Sequence, residues 1–207
     1  DYVGYGASKN LPHPYEHNKG SAVPTVDFLR AVKEFIAQEK INWNQKTFLA
    51  GYSQGGYVTM ATLKLLEEEF PNEFNIVGAS CGAGAYDKTG TFNQFITEGT
   101  SGEATNNRSY IWVMLTYDRI YKINAPLSDY FIEPYRTQIE ENGFNVTIDK
   151  SINEVLSPTL KSSFVESGDN SFMNKSLCPA NINAAKGKRT PYDYYQSVMS
   201  KDELDTW

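Results

Sequence analysis

Basic residues, histidines, cysteines and long apolar runs are all scarce in this 207-residue sequence. Lysine and arginine total 19 against 25 acidic residues, a net charge of −6, whereas nucleic-acid binders usually carry a basic excess. The longest apolar run, from Tyr110 to Leu115, is far shorter than the ~20 residues of a membrane-spanning helix. We therefore expect neither a nucleic-acid partner nor a transmembrane segment.

The few cysteines and histidines also limit metal and cofactor chemistry. Cys81 and Cys178 allow either one disulfide bond or two buried thiols, and the sequence favours neither. The two cysteines do not have metal-ligand spacing, and His13 and His17 are the only histidines, which makes a structural zinc site a poor candidate. The glycines near residue 55 lack the G-x-G-x-x-G spacing of a dinucleotide site, and no lysine follows them as in a phosphate-binding loop. We expect no metal and no organic cofactor.

The first 90 residues alternate between strand-like and helix-like patterns. A hydrophobic fraction of 40% supplies a sizeable core and excludes a disordered chain. The alternation predicts an α/β fold with a parallel sheet of about three strands covered by helices, and Ser21 is a suitable N-cap for the first helix. The predicted elements are a strand end at 2–6, a helix at 22–39, a strand at 47–51, a helix at 57–70 and a strand at 74–79.

The alternation stops near residue 90, and aromatic-rich helical patterns follow. We therefore predict two domains, an α/β core at 1–90 and a mostly helical subdomain at 91–207. A polar stretch at 167–170 is expected to be a loop. The predicted helices of the second half are 110–121, 128–141, 151–164 and 192–205.

Residues 51–56 (GYSQGG) carry the sharpest chemical signal. They fit G-x-S-x-G between a predicted buried strand and a predicted helix, the setting of a nucleophile elbow. Gly51 and Gly55 are expected to avoid Cβ clashes in a tight turn, and Gly56 to let the helix pack closely. Ser53 is then the candidate nucleophile, and the backbone N–H of Gln54 a candidate oxyanion donor. A glycine-rich turn in another kind of α/β protein is the structural alternative.

Four segments together carry a family resemblance: residues 1–6 (DYVGYG), 13–15 (HPY), 51–56 and 82–87 (GAGAYD). With them the chain resembles secreted α/β-hydrolases of the secretory lipase and esterase type, especially those of Bacteroides-like bacteria, over nearly its whole length. The resemblance implies a helical cap inserted into the hydrolase core, and export to the periplasm, cell surface or medium. It also implies hydrolysis of a small-molecule, lipid or glycan ester through an acyl-enzyme on Ser53, with Gln54 as oxyanion donor.

The sequence departs from this family pattern at the catalytic base. In this fold the base is a histidine that follows the nucleophile, yet no histidine follows Ser53. We expect the segment, which begins at Asp1, to be the centre of a larger hydrolase that supplies the base, the acid and the remaining strands. Two alternatives stay open: a noncatalytic relative that binds glycan or lipid, and an unusual arrangement with His13 or His17 as base.

Other side chains have two possible roles each. Asp87 could be a triad acid, although a helix cap is the favoured interpretation. The aromatic segment 110–121 could line an acyl pocket or pack the helical subdomain, and a serine peptidase would use the same turn as an esterase. A further set of aromatics could form an amphipathic rim that touches carbohydrate or lipid: Tyr130, Phe131, Tyr135, Tyr192, Tyr194 and Tyr195.

Overall fold

The computed structural model describes residues 1–166 together with Phe172 and Leu177. This part of the chain divides into two compact units, with the boundary between Tyr86 and Asp87. The predicted loop at 167–170, the predicted helix at 192–205 and Cys178 lie outside the described residues. A disulfide bond between Cys81 and Cys178 and two separate thiols therefore both remain predictions.

The first unit is a parallel two-stranded sheet with helices on one side. Helix α2 packs against both strands, and helix α1 packs against α2. The strands are in register from Phe48, opposite Gly78, to Tyr52, opposite Gly82. The elements are a 3-10 helix Gly6–Ser8, helix α1 Asn18–Gln38, strand β1 Lys46–Tyr52, helix α2 Gln54–Glu69 and strand β2 Asn75–Gly82.

The predicted strand at residues 2–6 is wrong. Its chain turns instead, because Gly4 and Gly6 have φ values of +91° and +52° and the Tyr5 N–H donates to the Tyr2 carbonyl over 3.0 Å. The sheet in the described part of the chain accordingly has two strands, where the sequence predicted about three. Residues 2–6 contain too few apolar positions for their sequence pattern to distinguish the end of a strand from a tight turn.

Helix α1 begins four residues earlier than its sequence pattern predicts. The N-cap is His17, whose Nδ1 accepts a hydrogen bond from the Gly20 N–H over 3.0 Å, and Ser21 lies buried inside the helix. Histidine is an uncommon N-cap, whereas serine is a preferred one. That preference is why the sequence pointed to Ser21.

Apolar side chains from both helices form the core of the first unit. Ala22 and Val26 of α1 meet a larger set from α2, and the inward side chains of the strands, such as Leu49, pack against them. Among residues 1–86 nothing covers the opposite face of the sheet: Phe48 and Tyr52 of β1 are 73% and 77% exposed. The α2 residues in this core are Tyr57, Met60, Ala61, Leu65 and Leu66.

The second unit is helical. Two long predicted helices are each interrupted, because Phe131 and Leu156 pair as an antiparallel bridge that breaks 128–141 and 151–164. None of the helices found in residues 1–166 is long and apolar enough to cross a membrane. The helices are α3 Lys88–Thr97, α4 Ala104–Ile120, α5 Leu127–Tyr130, α6 Tyr135–Asn142, α7 Ile152–Val155 and α8 Pro158–Glu166.

Most aromatic and apolar side chains of α4 are buried or half-buried. Met114 and Tyr117 are fully buried, and the Trp112 ring stacks on Phe144 with centroids 4.0 Å apart. Tyr130 and Phe131 are buried as well, so the predicted amphipathic rim is wrong for both. Its members Tyr192, Tyr194 and Tyr195 fall outside the residues that the structure describes.

Candidate active site

Ser53 alone connects β1 to α2. Its backbone has φ +56° and ψ −121°, a conformation that costs a non-glycine residue roughly 1–3 kcal/mol. Two hydrogen bonds hold the turn: the Ser53 N–H donates to the Gly82 carbonyl over 2.9 Å, and the Tyr57 N–H donates to the Ser53 carbonyl over 3.1 Å. The side chain is exposed and does not cap the helix, so its hydroxyl faces solvent at the helix start.

Glycines around the turn allow β1, β2 and α2 to approach one another. A Cβ on Gly51 would lie 2.2 Å from the Gly55 carbonyl oxygen, and one on Gly56 would lie 2.2 Å from the Gly82 carbonyl oxygen. The predicted close packing at Gly56 is therefore confirmed. The predicted clash at Gly55 is wrong, because a Cβ there would have no neighbour within 4 Å.

The start of α2 offers hydrogen-bond donors beside Ser53. The first N–H groups of a helix have no carbonyl partner within that helix, and the helix dipole makes this end positive. Gln54 is the first residue of α2. Its N–H therefore belongs to a region that can stabilise negative charge developing next to the Ser53 hydroxyl.

His13 is joined to the same turn by its side chain. Its Nδ1 lies 2.7 Å from the Val3 carbonyl oxygen, and its Nε2 lies 2.6 Å from Nε2 of Gln54. The ring is only 8% exposed. The sequence suggested a polar loop residue near the site mouth, and no local pattern could reveal the pairing of residues 13 and 54.

His17 serves helix α1 rather than the Ser53 turn. Its Nδ1 accepts the Gly20 N–H, so the proton of the neutral ring lies on Nε2. Burial, with a smaller contribution from the charge of Lys19, lowers the pKa of His17 to about 4. The ring is thus kept neutral, as its role as hydrogen-bond acceptor requires.

Asp87 is a helix cap. Its Oδ1 accepts the Gly90 N–H over 2.9 Å at the start of α3, which confirms the favoured interpretation of this residue. Just before it, the Tyr86 hydroxyl donates to the Cys81 carbonyl, and burial raises the pKa of that tyrosine. Gly84, two residues before Tyr86, is also closely packed, since a Cβ on it would lie 2.6 Å from the Tyr57 backbone nitrogen.

Solved structures with the same architecture are esterases and a candidate hydrolase. The rice cell wall degrading esterase LipA of Xanthomonas oryzae superposes with a TM-score of 0.76 at 24% identity, covering 92% of this chain and 53% of that one. Its ligand-bound form gives 0.71 at 25% identity, covering 92% and 52%. The candidate hydrolase lpg1103 of Legionella pneumophila gives 0.73 at 22% identity, covering 91% and 52%. The fold is that of the α/β-hydrolases, and the chain spans about half the length of these proteins.

A family model gives the finer assignment. The model described as secretory lipase matches residues 1–108, which include the Ser53 turn and both histidines. The chain belongs to the secretory lipase family. No curated protein sequence matches it significantly.

A second family model, HNH endonuclease, matches only residues 164–192. This stretch contains no histidine, because the two histidines of the chain lie at positions 13 and 17. It also lies almost wholly outside the residues that the structure describes. The match therefore supports no nuclease chemistry.

Proposed function

We propose that this chain is the nucleophile-bearing part of a serine-dependent carboxylic ester hydrolase. The observation that carries the proposal is the exposed Ser53, held at φ +56° between β1 and α2. A strained nucleophile between a strand and a helix is the arrangement of the nucleophile elbow. Membership of the secretory lipase family supports the same reaction class.

In the proposed reaction, the Ser53 hydroxyl oxygen attacks the ester carbonyl carbon while a histidine takes its proton. The Gln54 N–H and one further donor stabilise the oxyanion of the tetrahedral intermediate. That intermediate collapses to an acyl-enzyme, and the alcohol leaves with the proton from the histidine. Water then attacks the acyl carbon, which releases the carboxylic acid and restores Ser53.

The base, the acid and the second oxyanion donor belong, in this proposal, to parts of the protein outside this segment. No histidine follows Ser53 in the sequence, and the chain spans about half of the hydrolases that it matches. His13 is a poor candidate for the base, because its two ring nitrogens already contact Val3 and Gln54. His17 is a poor candidate as well, because its ring caps α1.

Membership of the secretory lipase family also supports a proposal for the substrate class and the location. We propose a small-molecule, lipid or glycan ester as substrate, and a secreted, periplasmic or cell-surface location in a bacterium. The helical unit that begins at Asp87 is proposed to act as the cap of the enzyme. Its buried aromatic side chains support a packed helical subdomain more than an open acyl pocket.

A variant series on the complete protein tests the proposal. Ser53→Ala is expected to lower kcat for short-chain nitrophenyl esters by at least about 10³-fold, because removing the nucleophile of a triad leaves only residual catalysis. Ser80→Ala is the matched control, since Ser80 is a serine within the neighbouring strand β2 rather than in the turn before α2. Equal rates for Ser53→Ala and the wild type would exclude Ser53 as the nucleophile.

Two other functions, a serine peptidase and a noncatalytic binding protein, would give different results from an esterase. A serine peptidase would cleave a peptide anilide faster than the matching ester, relative to their uncatalysed rates. A noncatalytic binding relative is favoured only by the lack of a histidine after Ser53. Such a protein would bind glycan or lipid equally well with and without the Ser53→Ala change, and would hydrolyse neither substrate.

A further inference from the structure

The contact between His13 and Gln54 joins two parts of the first unit that are far apart in sequence. His13 lies in the loop before α1, and Gln54 is the first residue of α2, next to Ser53. Their Nε2 atoms are 2.6 Å apart, and His13 Nδ1 is 2.7 Å from the Val3 carbonyl oxygen. The imidazole thus bridges the loop of residues 1–5 and the start of the helix.

The chemistry of the partners fixes where the proton of His13 lies. A carbonyl oxygen can only accept, so Nδ1 of His13 carries a hydrogen and donates it to Val3. The Gln54 side-chain nitrogen faces Nε2, and because an amide nitrogen can only donate, Nε2 accepts this hydrogen bond. Each hydrogen bond therefore selects the tautomer that the other needs.

Packing holds the imidazole in this position. The Tyr5 and Tyr15 rings contact it edge-on, with centroids 4.9 Å and 6.2 Å away. Gly4 packs closely against the backbone that carries the ring, since a Cβ on Gly4 would be 2.8 Å from the His13 backbone nitrogen, Cα and Cβ. A side chain buried among such neighbours has little freedom to change rotamer. The ring can therefore act as a fixed support.

We propose that His13 is a positioning residue for the reaction at Ser53, acting through the side chain of Gln54. By holding that side chain, it fixes the first residue of α2 and the direction of the Gln54 N–H toward the developing oxyanion. This inference rests on the proposed function. An oxyanion donor acts mainly in the transition state, so its displacement lowers kcat more than it changes KM.

Three substitutions in the complete protein separate the two hydrogen bonds of His13. His13→Phe keeps the ring volume and removes both bonds, and His13→Asn keeps a donor toward Val3 only. His13→Gln retains a group that can accept from Gln54. We expect kcat to fall about 10-fold for His13→Phe and His13→Asn with KM nearly unchanged, and His13→Gln to restore most of the loss. Equal kcat values for Asn, Gln and wild type would overturn the inference.

A double-mutant cycle tests whether His13 acts through Gln54. Gln54→Met removes the amide but keeps the side-chain length and the backbone N–H, and it stays informative even where His13→Phe fails to fold. The double variant of His13→Phe and Gln54→Met should lose no more kcat than Gln54→Met alone. Additive losses would mean that His13 acts by another route, which contradicts the inference.

Two controls distinguish this inference from the proposed function and from simple destabilisation. His17→Ala removes the N-cap of α1 without touching Gln54, so it should lower the melting temperature and leave kcat unchanged. An active Ser53→Ala variant would refute the proposed function itself. An inactive Ser53→Ala together with a fully active His13→Phe would refute only the role of His13.

Discussion

Gly56 packs so closely against a carbonyl oxygen of strand β2 that a side chain would not fit. A Cβ at this position would lie 2.2 Å from the Gly82 oxygen, whereas a Cβ on the adjacent Gly55 would meet open space. We expect Gly56→Ala to destabilise the fold by about 1–3 kcal/mol, as overpacking does. Gly55→Ala should change stability by less than about 1 kcal/mol, with a helix-propensity gain.

Urea denaturation of the two glycine variants provides the comparison. Both changes add one methyl group to the first turn of α2, so they differ only in what that methyl group meets. A similar loss in both variants would contradict the packing that the structure shows at Gly56.

His17 makes the stability depend on pH. Its pKa is about 4 in the folded protein against 6.5 for an unperturbed histidine, so the unfolded chain binds the proton first as the pH falls. The stabilisation of the folded state by the neutral His17 ring is fully present above about pH 6.5 and is lost progressively as the pH falls to about 4. Because the ring is partly exposed, we expect the loss to be about 1–3 kcal/mol.

The His17→Asn variant isolates this effect, because asparagine is a good N-cap and does not titrate. The unfolding free energy of the complete protein, measured between pH 7 and pH 4, should fall less steeply with decreasing pH in the variant. Identical slopes would show that His17 carries no such linkage.

At the scale of elements, helix α1 packs on the rest of residues 1–86 through one of its faces. Val26 is 1% exposed in the core shared with α2, while Phe28, two residues further, is 64% exposed. Val26→Ala should cost about 2 kcal/mol, from the lost burial and the cavity left behind. Both variants are made in the complete protein, where Phe28→Ala should stay within about 0.5 kcal/mol. Thermal unfolding of the pair checks the face assignment, and a larger loss at Phe28 would contradict it.

Sequence patterns predicted the elements with strong local signals and missed those set by distant contacts. The strand, serine turn and helix around residues 51–56 were recognisable because glycine, serine and apolar positions are adjacent in the chain. The break in the predicted helix at 128–141 was not, because it depends on the pairing of Phe131 with Leu156. The contact of His13 with Gln54 is equally non-local, since nothing near residue 13 specifies its partner.

At the scale of the whole molecule, the sheet has an apolar face that no residue of 1–86 covers. Phe48 and Tyr52 point outward from β1, although parallel sheets are normally covered on both faces. We propose that chain from the remainder of the hydrolase covers this face and flanks the two strands. The coverage of about half of the matched hydrolases supports this proposal.

Phe48→Ser tests the proposed cover. In the complete protein it should destabilise the fold by about 3–5 kcal/mol, as the loss of a buried phenylalanine does. Residues 1–207 expressed alone should aggregate and bind a hydrophobic dye, and Phe48→Ser should reduce both. A soluble monomer of residues 1–207 with a cooperative thermal transition would contradict this prediction.

The most direct measurement of the central claim is the intact mass of the complete protein after reaction with a fluorophosphonate probe. The proposed mechanism predicts one covalent adduct, mapped by peptide mass spectrometry to Ser53, which disappears in Ser53→Ala and persists in Ser80→Ala. A folded complete protein that gains no adduct, or that carries it on another serine, would contradict the claim that Ser53 is an activated nucleophile.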